Sequence, residues 1–213
     1  MSIQKEIDHL FQMSLKMAEL VKFNLKNAID VYHQYDENKV STINDDIVDM
    51  HERLIEELAL DIMLRERLYA KDLRIVTGIL KLVEDIERMG DHAEDIIEFA
   101  TKLKNEKKYT IPHLDEMVEK ALQMVHQSVL SLVNRDEHLA NQVIEADDIV
   151  DDMYKTILEL IVNENKKDLF SSSFAIYTTL VVKYIERIAD HAVNVAEWVV
   201  YILKGYHKDK KIF

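Results

Sequence analysis

The chain has 213 residues, 48% hydrophobic and 31% charged, yet only three are Gly and one is Pro. That is too few turn-makers for the turn that sheet proteins need roughly every 8–12 residues. Sandwiches, barrels and α/β folds with many loops are thereby excluded, and a few long helices remain. With 27 basic against 40 acidic residues, the net charge of −13 argues against nucleic acid and anionic lipid as partners. The absence of Cys removes disulfides and thiolate metal sites and suits a reducing cytoplasm.

From the start, residues 1–8 lack the apolar run of a signal peptide. The longest apolar stretches, 174–182 and 198–203, fall far short of the ~18 residues a membrane span needs. Helical stretches are predicted at 3–34, 40–67 and 71–105, separated by polar clusters at Gln34 to Lys39 and Ala70 to Asp72. A further break runs from Lys104 to Thr110. Three more helices follow at 112–134, 137–164 and 169–204. Pro112 suits the opening of the fourth. The Ser171–Ser173 cluster suits a cap on the sixth. Gly205 closes that helix as a C-cap, and the tail around Lys208 to Lys211 is expected to fray.

The third and sixth helices carry the clearest seams. Ile75, Ile79, Leu82, Ile86, Met89, Ala93, Ile96, Ala100 and Leu103 alternate steps of four and three. Phe174, Thr178, Val181, Ile185, Ile188, Ala192, Val195, Val199 and Ile202 do the same. Such seams belong to helices packed lengthwise in a bundle. The sequence also repeats. Asp45 to Asp49 recurs letter for letter as Asp147 to Asp151, 102 residues on. Ile86-Glu87-Arg88-Met89-Gly90-Asp91-His92-Ala93 recurs as Ile185-Glu186-Arg187-Ile188-Ala189-Asp190-His191-Ala192, 99 residues on. The expected architecture is all-α: two tandem homologous antiparallel three-helix bundles, 1–107 and 108–213, with up-down-up topology.

Opposite the seam stands a row of carboxylates. Glu87, Asp91, Asp95 and Glu98 lie at i, i+4, i+8 and i+11, within ~80° on the helical wheel. Glu186, Asp190, Asn194 and Glu197 repeat the spacing. The second helix has its own row, Asp45, Asp49, Glu52 and Glu56, read as facing away from Ile47, Leu54 and Leu58; its counterpart is Asp147 and Asp151. Like charges at i, i+4 destabilise a helix by a few tenths of a kcal/mol. A face that serves only solubility should mix signs, and this one repeats acid against acid in both halves. Oxygen-only ligands suit hard cations such as magnesium, calcium, manganese and ferric iron. The alternative reading is a solvated acidic face.

His92 and His191 flank the seam, as an orienting or an interfacial His would. Arg88 and Arg187 border the acidic rows. Gly90 and Ala189 are small residues at equivalent helix positions, where a neighbour approaches closely. Phosphate-binding Gly loops, G-x-S-x-G elbows and H-E-x-x-H zinc motifs are missing, so no enzyme is expected.

A duplicated three-helix bundle with I-E-R-[hydrophobic]-[small]-D-H-A in both halves, and Asp72-Leu73-Arg74 opening the third helix, resembles the PhoU family of phosphate-transport and phosphate-signalling regulators. Two departures are the missing Pro before Asp72 and Ala189 where Gly is usual. The resemblance implies iron or zinc clusters on the bundle surface, with manganese or magnesium as further options. The carried-over ligands are Glu87 with Asp91, Glu186 with Asp190, and Asp147 with Asp151. In the second helix, counting back from Asp72 favours Glu52 with Glu56, whereas the repeat favours Asp45 with Asp49. The resemblance also implies a cytoplasmic, often homodimeric regulator, peripheral to the membrane through its partners. Those partners are the ATPase subunit of the phosphate ABC importer and a sensor histidine kinase. Three rivals are a ferritin-like di-iron protein, a histidine phosphotransfer domain and a metal-free helical adaptor. The first needs Glu-x-x-His pairs pointing into the core, and Glu6 with His9 is the only such pair in the sequence.

Overall fold

A computed structural model describes residues 3–43, 46–207 and 210–211. Six long helices dominate: α1 (Ile3–His33), α3 (Asp46–Arg65), α4 (Ala70–Lys102), α5 (Leu114–Asn134), α6 (Glu137–Asn165) and α7 (Ser172–Lys204). A one-turn helix, α2 (Glu37–Val40), precedes α3, capped by the Asp36 carboxylate on Asn38 N–H at 2.9 Å. The expected 40–67 helix therefore begins late, because Asp36 nucleates a separate turn. After α7 the backbone forms a two-residue ribbon, β1 (Tyr206–His207) antiparallel to β2 (Lys210–Lys211).

The ends of the helices follow local chemistry. Ser171 Oγ accepts from Phe174 N–H at 3.0 Å and starts α7. Gly205, at φ 88°, stops it, donating its N–H to the Tyr201 carbonyl at 2.7 Å. A Cβ at Gly205 would lie 2.6 Å from Arg74 Nη1. The bare glycine lets that guanidinium settle beside the end of α7, where Arg74 Nε donates to the Ile202 carbonyl at 3.2 Å. A cation there also complements the helix dipole. Pro112 lies two residues before α5, whose N-cap is His113 at φ 66°.

Every residue of the two predicted seams is buried. α1, α3 and α4 pack together, as do α5, α6 and α7. The most extensive contact joins the halves, α4 against α7, and α1 also meets α5. The inner helices α1, α4, α5 and α7 thus share one continuous core, with α3 and α6 on opposite flanks. α4 and α7 run antiparallel. Gly78 near the start of α4 meets Ile202 near the end of α7, and Phe99 stacks on Tyr177 at 6.3 Å. Gly78 leaves room for the Ile202 side chain, which a Cβ there would overlap. Repeat-related residues meet at the middle of the crossing, where the His92 and His191 ring centroids are 5.4 Å apart. The repeat therefore relates the halves by a pseudo-two-fold axis beside these histidines.

The packed face of α3 differs from the expected one. α3 buries Val48, His51, Ile55, Ala59 and Ile62, while Ile47 and Leu54 are 43% and 44% exposed. The acidic row of α3 consequently stands beside the packed face and turns toward α4.

Candidate metal centre

In the second half the site sits on the seam between α6 and α7. Val150 and Ile157 anchor α6 against the core, which leaves Asp147 and Asp151, one turn apart, facing α7. Ile185 and Ile188 anchor α7 and turn Glu186 and Asp190 toward α6. Asp147, Asp151 and Asp190 each offer an oxygen, and these oxygens all lie within 4.8 Å of one another. Burial, with the charges of Asp190 and Asp151 next, pushes the Asp147 carboxyl up from 3.8 to about 6. Burial and Glu186 likewise raise Asp190, against the pull of Lys183. Glu186 is 12% exposed and holds Lys183, whose ammonium also lies 5.1 Å from the Tyr154 ring centre.

The first-half counterpart lies between α3 and α4. Glu52, Glu56, Glu84, Glu87 and Arg88 line a cleft of about 570 Å³. Burial pushes Glu52 up from 4.5 to about 7, with Glu87, Glu56 and Asp49 adding repulsion. Glu87 is raised by burial and by Asp91. Arg88 partly offsets this, 3.7 Å from Glu87 and 3.5 Å from Asp91. Asp49 belongs to the same cluster, since its charge acts on Glu52, Glu87 and Glu94. Its Oδ1 is buried without a hydrogen-bond partner, although its Oδ2 lies 3.9 Å from Arg53. Asp45 lies outside the described residues. Asp49, Glu52 and Glu56 therefore share one surface opposite Glu87.

The remaining members of the predicted rows are placed elsewhere. Asn194 Nδ2 donates to Asp85 Oδ1 at 3.1 Å, in the α4–α7 interface and away from α6. Glu197 is half-buried farther along α7. Glu98 is exposed and pairs with Lys102 at 3.6 Å. Asp95 lies 3.6 Å from His92 Nδ1 and is raised by burial, with Asp91 and Glu98 contributing and Arg187 opposing. His191 Nδ1 is 2.8 Å from Asp85, and His92 packs edge-on against Tyr184 at 5.0 Å. Tyr184 is the repeat equivalent of Asp85, so the two histidines meet dissimilar partners. Burial, followed by the charges of His191 and Arg187, pushes His92 down from 6.5 to about 4. Asp85 escaped the sequence reading because its match in the other half is an aromatic.

Since His191 is turned to Asp85, the α6–α7 cluster presents carboxylate oxygens. That donor set fits a hard cation better than zinc. Charge is concentrated there at an energetic cost that a bound cation would relieve.

Comparison with known proteins agrees with this architecture. Residues 15–100 and 114–199 each match the PhoU domain. A phosphate-specific transport system accessory protein PhoU homolog from Clostridium acetobutylicum is 30% identical over 210 residues, covering 97% of this chain and 96% of its own. The crystal structure of PhoU from Pseudomonas aeruginosa matches with a TM-score of 0.88 at 28% identity, covering 96% of this chain and 100% of that one. The phosphate transport system regulatory protein PhoU from Streptococcus pneumoniae, at 23% identity and a TM-score of 0.89, shares the fold over 98% of this chain and 100% of its own. No helix among the described residues is long and apolar enough to cross a membrane. With PhoU domains matched in both halves and a relative 30% identical along 96% of its length, this chain belongs to the PhoU family.

Proposed function

We propose that this chain is an accessory regulator of a phosphate-specific transport system that binds cations on its two acidic faces. It restrains the phosphate-starvation response through contacts with the ATPase subunit of a phosphate ABC importer and with a sensor histidine kinase, on the cytoplasmic side of the membrane. The observation that carries the cation part is the convergence of Asp147, Asp151 and Asp190 within 4.8 Å. Glu186 completes that face. Glu52, Glu56, Glu87 and Asp91, joined by Asp49, would hold a cation on the other. A bound cation would neutralise the repulsion, and phosphate or a protein group could complete its coordination.

The test has two arms. Metal-free protein is titrated with manganese, magnesium, zinc and ferric ions, alongside a variant with Glu87, Asp91, Glu186 and Asp190 changed to Ala. Equal metal content in both proteins would sink the cation reading. Separately, tagged protein is recovered from cells grown at high and low phosphate. Recovery of neither the importer ATPase nor the sensor kinase would sink the regulatory assignment.

A further inference from the structure

A second concave site lies at the other end of the α4–α7 contact, and neither acidic face explains it. The start of α4 and the end of α7 enclose a cleft of about 610 Å³ with mainly apolar walls. Its floor includes Leu73, Thr77, Trp198 and Tyr201. Leu73 is 41% exposed, although it belongs to the Asp72-Leu73-Arg74 segment that opens α4. Tyr69, just before the cleft, is 80% exposed. Large apolar groups left open in a hollow mark a binding surface more than scattered surface residues do.

The charges around this cleft run against those of the chain. The protein carries −13 overall, yet the charged residues lining the cleft are Lys71, Arg74 and Lys81. Lys71 pairs with no carboxylate among the described residues, while Lys81 reaches Glu84 at 3.4 Å. The ribbon that follows Gly205 brings the Lys210–Lys211 backbone to the same end of the molecule. The first turn of α4 lies on this cleft too, and its N-cap Tyr69 supplies no side-chain acceptor. Arg74 is engaged with the end of α7, so the helix start, Lys71 and the outer Lys81 are what make this apolar hollow complementary to negative charge flanking an apolar anchor.

We propose that this cleft docks an acidic amphipathic segment of a partner protein. Leucine or aromatic side chains would enter over Leu73 and Trp198, with Asp or Glu side chains facing Lys71 and Lys81. Concavity and the strongly negative remainder of the surface favour a peptide over an anionic bilayer, which the rest of the molecule would repel.

Fluorescence anisotropy on the full chain tests this, using a labelled 16-residue Glu/Leu amphipathic peptide. Its controls are the same peptide with Lys for Glu and the same peptide with Ser for Leu. The acidic peptide should bind, and both controls should bind at least tenfold more weakly. Lys71→Glu with Lys81→Glu, and separately Leu73→Ser, should each weaken the acidic peptide at least tenfold while helicity by circular dichroism stays unchanged. Thr77→Arg, which obstructs the floor without removing a cation, should do the same. Equal binding of the Lys peptide, or indifference to all three variants, overturns the proposal. So does capture of phosphatidylglycerol vesicles in preference to the peptide. A large gain in affinity on deleting residues 206–213 would show that the chain's own tail is the occupant, which also overturns it.

Discussion

Replacing Asp147 by Asn should stabilise the metal-free protein and destabilise the cation-loaded one. The Asp147 carboxyl is held up at about 6 against an ordinary 3.8, first by burial and then by Asp190 and Asp151. A raised carboxyl is one whose ionised form the fold disfavours, so its penalty is complete at pH 7.5. The penalty fades as pH falls from about 6 toward 3.8. At about 1.36 kcal/mol per pH unit, the ceiling is about 3 kcal/mol. The group is only half-buried, and solvent screening reduces this to about 1 kcal/mol. In chelator at pH 7.5, Asp147→Asn should therefore raise the Tm by about 2–4 °C, as expected for a chain of this size. At pH 3.5 the two proteins should converge. With manganese at about 100 times its Kd, wild type should gain about 2.7 kcal/mol. The variant, missing one oxygen ligand, should gain much less, so the order of Tm values reverses. Differential scanning fluorimetry at two pH values, with and without cation, reads all four conditions. A variant less stable than wild type in chelator, or an equal gain from manganese in both, would refute the reasoning.

Glu52 gives a second pH signature. Its carboxyl is raised to about 7, so metal-free stability should increase as pH falls from about 7 to 4.5, and Glu52→Gln should flatten that slope in urea melts. His92 works in the opposite sense. It is depressed to about 4, so its contribution is intact above 6.5 and is lost as pH falls toward 4. By NMR its ring signals should stay still from pH 7.5 to 5, and a midpoint near 6.5 would contradict its burial. Gly78→Val should cost about 2 kcal/mol, because its branches meet the buried Ile202 side chain. Gly78→Ala should cost less, since a gain of about 1 kcal/mol in helix propensity offsets the crowding. Adding Ile202→Ala to Gly78→Val should be less costly than the sum of the two single changes in a double-mutant cycle.

The long inner helices were legible because burial on α4 and α7 follows a single stripe, and spacing alone identifies it. α3 was not legible in this way. It carries Ile47 and Leu54 on one side and Val48, Ile55 and Ile62 on another, and only packing against α1 and α4 selects the second set. The acidic pairs on α4, α6 and α7 could be read because the repeat displays them twice. The choice between Asp45 with Asp49 and Glu52 with Glu56 could not, since Asp49, Glu52 and Glu56 fall on one surface and their relation to Glu87 is tertiary. Asn194 shares the spacing of the α7 row, yet it turns to Asp85 because α4 covers that flank. Gly78 has no glycine counterpart in the other half, where the equivalent position is Tyr177. The contact that needs Gly78 is made between the halves.

The outer helices are lightly anchored. α3 buries five of its 20 residues and α6 five of its 29, against 13 of 33 in α4 and 15 of 33 in α7. Each acidic cluster spans the gap between a firmly held helix and a loosely held one. On the proposed cation reading, an ion shared across that gap would act as a clasp, and its departure would free one helix without disturbing the common core. Occupancy would thereby be converted into mobility of the flanking helix, which a partner resting on α3 or α6 would sense. With a tight aspartate cluster on one flank and an open glutamate cleft on the other, the two clasps would release at different cation concentrations.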